Sequence, residues 1–293
     1  MLIVSFEGGL GNQMFQYAFF TALKEKFSNI DVLADFSDIN LRVHNGYELE
    51  KVFGIQMDVC KLTDVAKYSE HCPKGIKGHR ILNGLYSMRR CVCGVKHSFI
   101  RQENASVFYP EVFQVNPLYN YYYKGIWANE KYFADIKENL TNQFQFQRIV
   151  DEKNKKWVEM IKCSEAVSIH FRAGDYLQLH YDVCSQEYYR EAIVYMEAKL
   201  TCPVFFVFSD DIQMARKIFG TCENLHYIDN NTGKESYRDM HLMSMCRHNI
   251  IANSTFSFWG AYLNRFNKKI VVAPQKPAGD CRYPYASKEW VLL

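Results

Sequence analysis

The sequence predicts an α/β protein of two Rossmann-like domains facing a central cleft. Three observations predict it. Residues 2–34 run as an apolar strand (LIVSF), a glycine turn (GGLGN), a long helical stretch (NQMFQYAFFTALKEKF) and a second strand (IDVLA). That order joins parallel strands through a helix. From residue 166 the same alternation returns five strands deep. Between the two series, residues 142–162 are rich in polar residues. The division therefore falls into domains 1–150 and 151–293.

Each element has a local reason. Residues 2–6 are apolar and short enough for a buried strand. The helix at 12–27 ends on Lys24 and Lys26, cations suited to a helix C-terminus. Residues 30–34 form the next strand. The stretch 37–120 lacks a sustained period and predicts irregular helices and loops. YYYKGI at 121–126 reads as a strand, and 129–141 as helical. In the second series, Val167, Ile169 and Phe171 alternate with His170 and Arg172 in a strand at 166–172. A helix at 186–199, a strand at 203–208, a helix at 211–219 and a strand at 225–228 follow. A helix at 235–248, a strand at 249–252, a helix at 257–265 and a strand at 269–273 complete the domain.

Bulk properties exclude several classes. A net charge of +3 gives no basic footprint for nucleic acid. No run approaches the roughly 18 apolar residues of a membrane span. The start, MLIVSFEGGLGNQ, has no basic leader and enters a strand directly, so no signal peptide is expected. The ten cysteines then read as reduced thiols of a cytoplasmic protein. Peripheral association with the inner face of the membrane stays open. Cys91, Cys93 and His97, with His71 and Cys72, lack the spacing of a standard zinc site, so no metal is expected. The aromatic content of 15% fits a Phe/Tyr-rich core as well as a sugar cleft.

In open parallel sheets, ligands gather outside the carboxyl ends of the strands. Four such exits carry chemistry. The first is Gly8–Asn12. Gly9 and Gly11 allow close approach to the backbone, but Met14 stands where a dinucleotide fingerprint needs Gly or Ala. Asp35, ending the next strand, is placed like a ribose-binding acid, while Asn12 and Gln13 suit neutral sugar hydroxyls. The second exit is His170 and Arg172. Arginine grips phosphate with a two-pronged fork, and Asp175 is near enough to orient it. The third is Ser209-Asp210-Asp211, which either caps the following helix, takes two N–H donors from a guanine or binds a ribose. The fourth is Asn253-Ser254-Thr255-Phe256-Ser257 at a helix start, a phosphate cradle. No Asp-x-Asp pair occurs, so a nucleotide diphosphate would meet Arg172 and helix N-termini instead of a bound cation.

The stretches GGLGNQMFQYA, YYYKGIWANEKYF, HFRAGDY, CSQEYYREAI and SYRDMHLMSMCRHNIIANSTFSFWGAYLN span most of the chain. In them the sequence resembles the bacterial α-1,2-fucosyltransferases of glycosyltransferase family 11. The resemblance implies a GT-B-like fold and GDP-β-L-fucose as donor. It also implies no cofactor, since GDP-fucose is a substrate, and no metal. It implies inversion to an α-1,2 linkage on the 2-OH of a terminal β-galactose. Within it, His170 contacts guanine, Arg172 the β-phosphate, and Asp210 or Asp211 guanine. Ser254, Thr255 and Phe256 surround the diphosphate, flanked by Asn253 and Ser257. Gly9, Gly11, Asn12 and Gln13 line the cleft. Arg172 is the catalytic group that meets the leaving GDP, and Glu7 and Asp175 are the two candidate bases. The family motif commonly reads His-x-Arg-Arg-Gly-Asp-Tyr; here Ala173 replaces the second arginine, and Phe258 replaces a common Trp.

Overall fold

The computed structural model describes residues 1–39, 45–70, 73, 79–93, 98–172, 184–275, 287 and 289–293. The chain divides into two compact units, Met1–Gln143 and Phe144–Leu293. The seam falls at the start of the polar stretch 142–162, ahead of the division expected at 150. Phe144 meets Trp259 edge to face at 5.2 Å, which holds the start of that stretch on the second unit.

The first unit is built on a four-stranded parallel sheet. Its strands are β1 (Leu2–Ser5), β2 (Val32–Asp35), β3 (Phe99–Arg101) and β4 (Tyr121–Lys124), in the order β2-β1-β4-β3. Helix α1 (Leu10–Lys26) crosses from β1 to β2 and is buried along most of its length, which is why its apolar residues show no single stripe. Phe19 of α1 centres the core. Its ring stacks on Trp127 at 4.2 Å and meets Tyr123 and Tyr132 edge to face, each at 5.4 Å. Among the described residues, the stretch 37–120, expected to hold irregular helices and loops, holds α2 (Leu49–Phe53), α3 (Leu62–Tyr68) and α4 (His79–Cys93). It also supplies β3. Where 129–141 read as one helix, two 3₁₀ turns precede α5 (Lys137–Gln143).

The second unit carries a six-stranded parallel sheet. Its strands are β5 (Glu165–Phe171), β6 (Pro203–Ser209), β7 (Leu225–Ile228), β8 (His248–Ile250), β9 (Val271–Ala273) and β10 (Val291–Leu292). The order is β10-β9-β8-β5-β6-β7, so the chain steps outward from β5 to β7 and then returns to β8 on the other side. The reversal between β5 and β8 is a topological switch point, where ligands enter folds of this kind. At the centre of the sheet, Val167, Ile169 and Phe171 of β5 face one side and Ser168 and His170 the other, all of them buried. Val167, Ile169 and Phe171 pack with Phe205, Val207 and Ile250 in one cluster, as a sheet covered by helices requires. The helices are α6 (Glu152–Lys162), α7 (Gln186–Lys199), α8 (Ile212–Phe219), α9 (Tyr237–Met245) and α10 (Thr255–Tyr262). Asp151, Ser185 and Asp211 cap α6, α7 and α8, each side chain accepting from a backbone N–H in the first turn at 2.9–3.1 Å.

A buried amide network joins α6 to α9. Asn154 and Asn231 exchange hydrogen bonds of 2.8 and 3.0 Å, and Asn231 donates to Asp239 Oδ1 at 2.8 Å. Burial pushes the Asp239 carboxyl up to about 8, against the pull of the Asn231 amide. The folded protein therefore keeps a proton that the unfolded chain, with an ordinary carboxyl near 3.9, has lost. Stability falls as pH rises through that window, by at most about 1.4 kcal/mol per pH unit from this group. Asp239→Asn removes the titration, so the difference in urea midpoint between wild type and variant widens from about pH 4 to about pH 8. Parallel midpoints across that range would show Asp239 to be ionised throughout.

Among the described residues, no helix is long and apolar enough to cross a membrane. Among them also, no cluster of three or more His, Cys, Asp and Glu side chains is placed to hold a metal ion.

Candidate active site

The exits of β5, β6 and β8 are neighbours in the second unit because their strands pair directly. His170, the penultimate residue of β5, is buried, and its ring lies 5.6 Å from that of Phe256. Its Nδ1 is buried with no hydrogen-bond partner among the described residues. Burial holds the imidazole well below its ordinary pKa, the Arg172 charge adds to this, and Asp210 opposes it. The ring is thus neutral at physiological pH and fits reading the polar edge of a base better than binding an anion.

The strand ends at Phe171, so Arg172 is the first residue beyond it rather than its last inward position. The guanidinium Nε lies 3.2 Å from Asp210 Oδ2. The register explains the pair: Phe171 is opposite Ser209, which brings the next residue of each strand together. Asp210, expected at a guanine, therefore sits on Arg172, in the orienting place that the sequence offered to Asp175. Asp175 and Ala173 lie outside the described residues. Asp211 caps α8 by accepting through Oδ1 from the Met214 N–H at 2.9 Å, as its position one residue before the helix favours.

At the β8 exit, Ser254 accepts from the Phe256 N–H at 3.3 Å and starts α10. Asn253 and Thr255 are largely buried beside it. The Ser257 hydroxyl lies 3.1 Å from both the Ala252 and Ser254 carbonyl oxygens and is enclosed within the turn it closes.

Helix α7 supports these exits from below. The Tyr189 hydroxyl donates to the His170 carbonyl at 3.0 Å, and the Tyr188 hydroxyl to the Ile251 carbonyl at 2.6 Å. Cys184, just before the helix, accepts from the Asn253 N–H at 3.3 Å. Sequence reasoning gave these residues no role. The available signal was a pair of adjacent tyrosines opening a helix, where polar tips need partners if the rings are buried.

In the first unit, the β1 exit forms a tight loop. Gly8 has φ +79°, and a side chain there would meet the Asn12 amide, so glycine is required. Gly9 precedes α1, and Gly11 is buried in its first turn. Gln13 does not line a cleft: it is 0% exposed. Its amide nitrogen donates to the Gly8 and Gly46 carbonyls at 2.9 and 2.8 Å, and its oxygen accepts from the Glu48 N–H at 2.9 Å. Gln16 acts likewise, accepting from the Glu7 N–H at 3.1 Å and donating to the Gly125 carbonyl at 3.1 Å. Asp35 is also spent within the fold, on the Ser37 N–H, the Ser37 hydroxyl and the Tyr122 hydroxyl. Glu7 and Asn12 remain half-buried. Burial pushes the Glu7 carboxyl up, while Lys124 pulls it down and Asp38 adds to the rise.

Residues 103–293 match the model of glycosyl transferase family 11. An α-1,2-colitosyltransferase of Escherichia coli is 32% identical over 288 residues, covering 94% of this chain and 91% of its own. The O-antigen biosynthesis glycosyltransferase WbnK of Escherichia coli is 28% identical over 329 residues, covering 98% of each chain. A galactoside alpha-(1,2)-fucosyltransferase 1 of Leontocebus fuscicollis is 26% identical over 47% of this chain and 42% of its own. Among solved structures, NodZ α-1,6-fucosyltransferase soaked with GDP-fucose superposes with a TM-score of 0.51 at 13% identity, over 89% of this chain and 92% of that one. That likeness gives the fold, which is GT-B-like, with a parallel sheet in each unit. The matched span takes in the paired exits of β5, β6 and β8, and a colitosyltransferase relative aligns over nearly the whole chain: the protein belongs to glycosyltransferase family 11.

Proposed function

We propose that this protein transfers L-fucose from GDP-β-L-fucose to the 2-OH of a terminal β-galactose, with inversion to an α-1,2 linkage. The observation that carries the reading is the switch point of the second unit. There a buried neutral His170 lies beside Phe256 of α10, and Arg172, two residues further along, pairs with Asp210 at the end of β6. His170 reads guanine through its uncommitted Nδ1. Arg172, oriented by Asp210, and the N–H groups opening α10 meet the negative charge that grows on the β-phosphate as the glycosidic bond to GDP breaks. The sugar is cation-like at that point, so stabilising the leaving group supplies most of the catalysis. The galactose hydroxyl attacks from the opposite face and gives up a proton. Glu7 and Asp175 are the two candidate bases; burial pushes the Glu7 carboxyl above its ordinary pKa. The absence of any Asp-x-Asp pair supports a scheme in which no cation holds the diphosphate.

A second donor is favoured by the 32% identical colitosyltransferase. Colitose is fucose without its 3-hydroxyl. A site that hydrogen-bonds this hydroxyl rejects the deoxy sugar strongly, and an apolar one does not. The test offers GDP-fucose or GDP-colitose with a panel of β-galactosides, lactose included, in EDTA throughout, and reads products by mass and linkage by NMR. The expected result is a product heavier by one fucose, joined α-1,2, with GDP released only when the acceptor is present. GDP, but not NAD, raises the unfolding temperature. Stabilisation by GDP without a product from either donor would mark a binding protein instead of an enzyme.

A further inference from the structure

Helix α4 leaves its apolar residues in water. Ile81, Leu85, Met88 and Val92 are 75%, 55%, 65% and 79% exposed. Their spacing of four, three and four residues sets them on one stripe of the helix. Leu82 and Tyr86, at other positions around the helix, are half-buried. Scattered exposed apolar residues are ordinary, but a row of four along one helix is an interaction surface.

The charge around the row identifies its partner. From His71 to Gln102 the sequence holds seven Lys and Arg residues and no Asp or Glu. Arg80, Arg89 and Arg90 lie within α4 itself. A second copy of this chain is a poor occupant. Two-fold pairing would set the arginine-bearing helix against itself, with no carboxylate between Glu70 and Glu103 to answer it. An anionic bilayer satisfies both features: the row enters the boundary between headgroups and acyl chains, and the exposed Arg80 guanidinium meets lipid phosphates. We propose that α4 is the surface by which this protein docks on an anionic lipid membrane. The assignment does not depend on which sugar is transferred or on whether transfer occurs.

Flotation of the purified full-length chain with vesicles tests it. With phosphatidylethanolamine/phosphatidylglycerol vesicles the protein floats; with phosphatidylcholine alone it stays behind, and high salt releases it. Leu85→Ser combined with Val92→Ser lowers partitioning at least about tenfold, and Arg80→Gln about fivefold. The circular dichroism spectra and urea midpoints of the variants match those of the wild type, because the altered side chains are exposed. Failure of the wild type to float with the anionic vesicles overturns the proposal, as does binding indifferent to lipid charge and to Arg80. Light scattering that shows a dimer split by the double substitution also overturns it and assigns the row to a second copy.

Discussion

Arg172→Ala lowers kcat/KM about 100- to 1000-fold, close to 3–4 kcal/mol of transition-state stabilisation, and leaves the protein folded. The size follows from the chemistry proposed for the site. Without a cation, the departing diphosphate relies on one guanidinium and on helix N–H groups, so removing the guanidinium resembles removing a principal oxyanion donor. The fold tolerates the change because Arg172 lies past the end of β5, with its side chain 27% exposed. A partly exposed pair such as Arg172–Asp210 contributes no more than about 1 kcal/mol to stability. Arg172→Lys falls between: it keeps the charge but loses the planar fork. Asp210→Ala leaves the guanidinium present but unanchored on that side, and costs less than removing it. Steady-state kinetics on all three, with urea midpoints alongside, separate chemistry from folding. Near-normal turnover of Arg172→Ala would take this residue out of the mechanism.

The sequence made the second unit more legible than the first, for physical reasons. β5 sets Val167, Ile169 and Phe171 at every second position, β6 is apolar from Pro203 to Phe208, and α7 has a serine cap ahead of a long period, so each announces itself within a short window. β3 and β10 have three and two residues, too few for any period to show, and exist because a neighbouring strand pairs with them. The strand exits could be located, but the direction of each polar side chain there could not. Asp211 and Ser257 turn back to local backbone groups. Asp35 is held by Tyr122, 87 residues along the chain, a partner that no local pattern reveals. The Arg172–Asp210 pair arises from strand register, which becomes visible only once β5 and β6 are aligned.

Gln13→Leu lowers the stability of the protein by about 3–5 kcal/mol, because three backbone groups, two of them buried and one half-buried, lose this side-chain partner at once, and each such orphan costs about 1–3 kcal/mol. The Gly8 and Gly46 carbonyls and the Glu48 N–H all meet this one amide, which ties the β1 exit to the start of α2 across 35 residues of chain. Leucine nearly fills the volume of glutamine, so the loss reports hydrogen bonding more than a cavity. Gln16 offers no substitute, since its own amide is engaged with the Glu7 N–H and the Gly125 carbonyl. Asn12→Ala is the contrasting case. That side chain is only half-buried, so its loss costs about 1 kcal/mol of stability, well below the cost of Gln13→Leu. Urea unfolding of the two variants, followed through tryptophan fluorescence, reads the difference. Trp127 reports on the first unit because it stacks on Phe19 in the core beside the same helix. A Gln13→Leu protein as stable as wild type, but with a raised KM for the galactoside, would show that the amide faces the acceptor. The loop would then owe its shape to Gly8 and Gln16 alone.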